Sequence, residues 1–457
     1  MPFAPTTRRS TSVAVVFGAC ISFWLGLCGA AAGQDTAGLW VTQPSLTSRT
    51  AIERLVDDAS RAGFTILLVE VAALPREPAP AARSRTRRDR GPSAGVDDGR
   101  RRRDRRGDDR LQLLLTAARR RGLRVHAWIQ VTRATRAGPL PTSREHIVHR
   151  HPEWIMVPRA LAGRLARLDV KDPAAYLAAL DRWTQPSPDG VDGLYLSPIL
   201  PEVAEHIGER LTQLLSRYRF DGVHLDSTQF PSSDFDYGRT AVAAFRAEIA
   251  DGLTVAARRE LDAQAAVDTL TYPDAFPRQW TRFRRSKMTA LVARLATIVR
   301  RSRTGARLSV SVVADQDEAL GRRLQDWRTW ADNGFVDILC LQPGSETAEE
   351  FEFQVRAARQ FSSRAELWVG LGAEWLCPST PSTASAPRSG SVSTASWSGA
   401  TTASPTGPVS LPITSAIAAS PLRRSRCAND PIRNTLIILD VEAPVRQGVR
   451  SAHTGSM

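Results

Sequence analysis

Seven short apolar runs, most of them alternating with stretches of helical spacing, constrain this chain more than any other feature. That alternation is the pattern of βα units wound around a parallel sheet. The runs expected as strands are Gly38–Thr42, Thr65–Val71, Arg124–Val131, Gly222–Asp226, Arg307–Ala314, Val336–Leu341 and Glu366–Leu371. Between them, apolar residues three and four apart predict helices over Arg49–Gly63, Asp108–Arg121, Glu202–Arg219, Thr281–Arg303, Leu320–Asn333 and Ala348–Phe361. Gly63 and Gly122 stand where such helices stop. The 457-residue length suits a single α/β barrel with insertions, a fold that runs from about 200 to more than 400 residues.

Three segments interrupt the pattern. Arg8 and Arg9, the apolar stretch Val13–Leu27 and the small residues Ala30-Ala31-Ala32 predict a secretory leader over residues 1–33, and hence an exported, periplasmic or extracellular protein. An uncleaved N-terminal anchor is the alternative. Cys20 after Gly18-Ala19 leaves lipid anchoring open; membrane contact is expected only in that case. The second interruption, residues 74–107, is rich in Pro and Arg. Between Arg83 and Arg106 stand eleven Arg and four Asp, so this run supplies half of the net charge of +14. The basicity is therefore local, and no nucleic-acid partner is expected. A solvated, disordered loop is the plain reading, and capture of a polyanion the sharper one.

The third interruption begins past Trp375. From Leu376 to Asn429 there is no Asp or Glu, and Ser, Thr, Ala and Pro dominate. A disordered secreted tail and a shifted reading frame near Leu376 both fit residues 376–457. On either reading the eighth βα unit is missing or aberrant, although Thr435–Val441 is also open as a displaced eighth strand. Once a leader is removed, Cys340, Cys377 and Cys427 remain; three cysteines make no disulfide scaffold, and their spacing matches no metal motif.

In a parallel barrel the C-terminal strand ends build the active site. His224 and Asp226 share one face of their strand, and His126, Trp128 and Gln130 share one face of theirs. A satisfied hydrogen-bond network accounts for such polar faces as well as a site does. Asp226 ends an apolar strand and leads into a Ser/Thr/Gln/Pro loop, which makes it the first catalytic candidate. Glycoside hydrolysis needs a second carboxyl group; Asp315, Glu374, Glu346 and Glu70 are candidates in that order, each also able to cap a helix. Trp128, Trp154, Phe230, Tyr237 and Trp375 are available as platforms for a sugar ring. His146, His149 and His151 lie close together without a matching ligand set, so exposed or capping roles are expected and no metal. There is no phosphate loop, nucleophile elbow or dinucleotide fingerprint, and no cofactor is expected.

The run Arg219-Phe220-Asp221-Gly222-Val223-His224-Leu225-Asp226, followed by Phe230-Pro231 and Asp234-Phe235-Asp236-Tyr237, resembles the signature of the bacterial glycosyl hydrolase-like 10 family. Leu39-Trp40-Val41, Ala62-Gly63-Phe64, Arg121–Trp128, His151-Pro152-Glu153-Trp154, Leu194–Pro198 and Leu367–Gly372 agree in order, so that the resemblance covers residues 37–375. It implies a TIM-type (β/α)8 barrel, export, and glycosidase action on an extracellular or envelope polysaccharide. Residue by residue, it implies that Asp226 is catalytic and that His126, Trp128 and His224 line the pocket. The chain departs from the family where Ser227-Thr228-Gln229 follows Asp226, where the Arg-rich insertion follows the second strand, and where Gln342-Pro343 follows the sixth. Those departures keep two other readings open, a carbohydrate-binding barrel without activity and a polyanion-binding surface protein. Nothing in the sequence fixes an oligomeric state.

Overall fold

The protein is described by a computed structural model over residues 36–71, 109–168, 173–184, 191–342, 348–361, 364–371 and 437–440. The expected leader, the Arg-rich insertion and nearly all of the tail lie outside the described residues, as do Cys377 and Cys427.

Seven strands pair in parallel and in sequence order: β1 (Ala37–Val41), β2 (Ile66–Glu70), β3 (Arg124–Gln130), β4 (Gly222–Asp226), β5 (Arg307–Val313), β6 (Ile338–Gln342) and β7 (Glu366–Leu371). The sheet curls until β1 and β7 both pair with a short segment, β8 (Ile437–Asp440), which runs antiparallel between them. The described residues thus hold no eighth parallel unit, and a segment within the expected Thr435–Val441 run lies in the gap.

Local rules set the elements. Helix α1 (Arg49–Arg61) starts where the Ser48 side chain accepts from Ala51 N, and the chain leaves it through Gly63 at φ +82°. Helix α2 (Arg110–Arg120) repeats the device with Asp109 and with Gly122 at φ +71°. Along each strand the period of two sorts the side chains. Leu67, Val69, Val125, Val223, Leu225 and Val310 join one continuous apolar layer with the helices. Trp40, Ile66, Leu68, Trp128, Ile338, Cys340 and Trp368 form a separate cluster inside the barrel. The barrel is a packed core, with a mouth at the C-terminal strand ends.

At the opposite end, Arg307 Nη1 meets Glu366 Oε2 at 2.6 Å, and Trp368 Nε1 donates to Glu366 Oε1. Part of the Asp-Gly-Val-His-Leu-Asp run is structural at this end. Asp221 Oδ2 accepts from Val125 N at 2.9 Å and so pins the start of β3 against β4. A Cβ on Gly222 would lie 2.7 Å from the His126 ring and 2.7 Å from Arg307 O. Gly222→Ala should therefore destabilise the fold by about 1–3 kcal/mol, read as a lower urea midpoint at unchanged m-value.

One helix differs from expectation. Leu320–Asn333 is not continuous: a π-helical turn, Glu318–Arg322, is followed by a break and then by Trp327–Asp332. In the break, Leu324 takes φ +53° and the buried Gln325 points back to the sheet. Gln325 Oε1 accepts from Val313 N, and Gln325 Nε2 donates to Ser311 O and Thr228 O. Its amide satisfies backbone groups that the end of β5 leaves open, which outweighs two more turns of helix.

Candidate active site

Asp226 is the last residue of β4 and is half-buried at the barrel mouth. Three donors converge on its carboxylate. Trp128 Nε1 and Gln130 Nε2 each donate to Oδ2 at 2.9 Å, and Ser227 N donates to Oδ1 at 2.7 Å. Both side-chain donors come from β3, whose register sets Gln130 opposite Asp226 and Trp128 opposite His224. Oδ2 is thus fully engaged, while Oδ1 keeps lone-pair capacity for a further donor. The group is arranged to accept hydrogen bonds.

The residue after Asp226 completes this arrangement. Ser227 sits at φ +55°, the left-handed region that non-glycine residues seldom adopt. Its carbonyl accepts from Thr132 N and from Thr132 Oγ1, and its hydroxyl donates to Gln130 Oε1 at 2.6 Å.

His224 and His126, expected to line the pocket, are both buried. His224 is 0% exposed, with Nδ1 and Nε2 each 2.9 Å from a hydroxyl, those of Ser309 and Ser311. His126 is 1% exposed, stacks on Trp368, and leaves Nδ1 without a partner. Burial holds His224 down to about 4, against the opposing pull of the Asp226 carboxylate. Burial, with the charges of His224, Arg124 and Arg307, holds His126 down to about 3. Both rings are core residues beneath the mouth, because the inward parity that carries Asp226 to the rim carries His224 one layer below it. Cys340 lies in the same interior as a buried free thiol, and burial pushes its pKa up.

Trp128 does stand beside Asp226, but through its indole N–H, with its ring centroid 6.5 Å from that of Trp40 in a T-shaped pair. Tyr237 and Trp154 belong to other clusters. Tyr237 is buried against Trp280, with the Arg159 and Arg284 guanidinium groups over its ring. Trp154 stacks on His151 at 3.9 Å and forms a T-shaped pair with His206 at 5.5 Å. Neither has a described contact with Asp226. Asp315 is exposed and accepts from Glu318 N at 2.7 Å, which is a capping role. Glu374, Glu346 and Trp375 lie outside the described residues. Glu70, placed last among the partner candidates, ends β2 with its side chain 16% exposed. Its Oε1 pairs with Arg136 at 3.0 Å, and its Oε2 accepts from Gln43 N.

The loops behind the mouth hold a buried group that sequence reasoning quoted without a role. Asp236 is 2% exposed, and its Oδ1 accepts from Val157 N and Gly238 N. Burial raises its pKa against those hydrogen bonds and against the nearby Arg284 charge. It staples the loop after β4 to the segment after β3. In that segment His146 caps a short helical turn, His149 Nε2 meets Pro141 O, and His151 Nδ1 pairs with Glu153. Among the described residues no group of three His, Cys, Asp or Glu side chains is disposed to hold a metal ion.

The sequence matches the family model described as "Glycosyl hydrolase-like 10" over residues 90–372. No curated relative matches significantly. Among solved structures, the chain is similar to the PgaB (BpsB) glycoside hydrolase domain from Bordetella bronchiseptica, at 15% identity over 72% of this chain and 83% of that one, with a TM-score of 0.44. It is also similar to the catalytic domain of β-amylase from Paenibacillus polymyxa, at 10% identity over 73% of this chain and 91% of that one, with a TM-score of 0.40. A β-galactosidase from Marinomonas ef1 matches at 13% identity over 69% of this chain and 41% of that one, with a TM-score of 0.41.

Proposed function

The chain belongs to the glycosyl hydrolase-like 10 family, and from that premise we propose that it hydrolyses an O-glycosidic bond of an extracellular or cell-envelope polysaccharide. The observation that carries the reading is the Asp226 carboxylate at the barrel mouth, held by three donors with one oxygen still able to accept. A glycosidase needs one carboxylate that attacks the anomeric carbon or takes a proton from water, and another group that protonates the leaving oxygen. Asp226 Oδ1 fills the first role. Trp128 and Gln130 fix the carboxylate plane before substrate arrives, which removes reorganisation from the reactive step. Export rests on the composition of residues 1–33.

Asp226→Asn tests the reading. An amide has one oxygen and must turn its NH2 toward either the Trp128–Gln130 pair or Ser227 N, so the arrangement fails at one end. Turnover of whichever member of a glycan panel the protein cleaves should fall by about 100-fold or more. Unchanged turnover would remove Asp226 from the mechanism. The second reading, a barrel that binds carbohydrate without cleaving it, is favoured by one observation: Glu70 is ion-paired with Arg136. Glycan binding by calorimetry with no hydrolysis by the unaltered protein would select it.

A further inference from the structure

We propose that Ser227 is a positioning residue for Asp226, acting through the side-chain amide of Gln130; this rests on the reading of Asp226 given above. The hydrogen bonds form a chain of fixed polarity. A carboxylate only accepts, so Gln130 must turn its NH2 to Asp226 Oδ2, at 2.9 Å. The amide oxygen then faces away and needs a donor, which the Ser227 hydroxyl supplies at 2.6 Å. Ser227 also donates its backbone N–H to the other carboxylate oxygen. One residue therefore grips both ends of the carboxylate, one directly and one through Gln130.

The backbone sharpens the point. At φ +55° glycine would sit without steric cost, and serine does not. Thr132 already satisfies the Ser227 carbonyl, and Asp226 already engages its N–H, so neither bond needs a side chain. The only described contact that requires serine over glycine is the one to Gln130. The chain keeps an unfavourable residue at this position, and that residue's hydroxyl orders a ligand of Asp226. Without the hydroxyl, Gln130 Oε1 loses its donor inside a half-buried wall, and the bond to Asp226 alone is left to hold the rotamer.

Crystal structures and kinetics of Ser227→Gly and Ser227→Ala decide the matter. In both, Gln130 should leave its position or split between rotamers; an unmoved Gln130 overturns the proposal whether or not the protein is active. In turnover, both variants should lose kcat by about 10-fold or more with KM nearly constant, because the defect lies in aim rather than in binding. Their melting temperatures should diverge, Ser227→Gly at or above the unaltered protein and Ser227→Ala at or below it. A purely structural serine would instead give a glycine variant with unimpaired kcat, which refutes the inference. In the double variant with Gln130→Leu, the loss should not exceed that of Gln130→Leu alone; additive losses would show that Ser227 does not act through Gln130. Asp226→Asn is assayed alongside. An active Asp226→Asn breaks the functional reading, whereas an inactive one beside an active Ser227→Gly breaks only this inference.

Discussion

Between pH 6.5 and pH 4 the barrel should lose several kcal/mol of stability, seen as a steady fall in the urea midpoint well before general acid unfolding. The main cause is the pair of enclosed imidazoles, His224 and His126. In the unfolded chain both titrate near the ordinary value of 6.5, whereas the fold holds His224 to about 4 and His126 to about 3. Below pH 6.5 the unfolded state therefore binds protons that the folded state refuses, and stability falls with pH. The contribution is complete above 6.5. It is lost at about 1.4 kcal/mol per pH unit for each histidine, until His224 protonates near 4 and His126 near 3. Asp236 opposes the trend, since its raised carboxyl takes a proton in the fold before it would in the open chain. One group does not reverse the sign, because burial also holds His146 and His206 below the ordinary value and both add to the fall. His126→Leu separates the terms: Nδ1 has no partner to lose, the volume is similar, and the slope should become shallower. An identical slope in that variant would exclude His126 as a source.

Much of the sheet was legible because burial on both faces leaves a plain mark. Leu67, Val69, Val223 and Leu225 face helices, and Ile66 and Leu68 face the interior, so β2 reads as an unbroken apolar run. Strand β4 was placed without error, since Gly222 and Asp226 bound it at both ends. The broken helix around Gln325 was not legible. Its apolar spacing continues through a residue whose side chain is needed by a strand fourteen or fewer positions away in sequence, and spacing alone does not register that demand. The site divides in the same way. That Asp226 ends a strand is local information. That His224 and His126 are sealed beneath it depends on how far each inward position lies from the rim, which is set by the register between strands. Alternation offers Trp128 as a ring, whereas its N–H is what meets Asp226, and it shows of Gln130 only that it shares that face. Donor and acceptor matching between β3 and β4 is a pairwise property, invisible until the strands are side by side.

Glu70→Gln should lower turnover by about 100-fold or more on a natural glycan, and much less on an aryl glycoside whose leaving group needs no proton. Inward parity gives the reason. Ile66 and Leu68 face the interior, so Glu70, two residues further, points into the mouth. The corresponding rim positions carry Thr42 just after β1, Gln130 on β3, Val313 on β5, Gln342 on β6 and Gly370 on β7. Among the described residues of the seven parallel strands, Asp226 and Glu70 are thus the carboxylates that strand ends aim at one space. β3 lies between their strands, and Glu70 stands opposite Trp128 while Asp226 stands opposite Gln130. Two strand spacings with a two-residue offset put the Cα atoms about 12 Å apart, and side chains reaching inward shorten that distance between carboxyls. Carboxyls about 6.5–9.5 Å apart would admit a water and give inversion, whereas about 5 Å would give retention. The Arg136 pair does not remove Glu70 from this role: Arg136 is 66% exposed, and exposed ion pairs contribute little and exchange readily. Equal losses on the natural glycan and the aryl glycoside would show that Glu70 does not protonate the leaving group. Full activity on both would place the partner carboxyl beyond the described residues, where Glu374 and then Glu346 stand next in line.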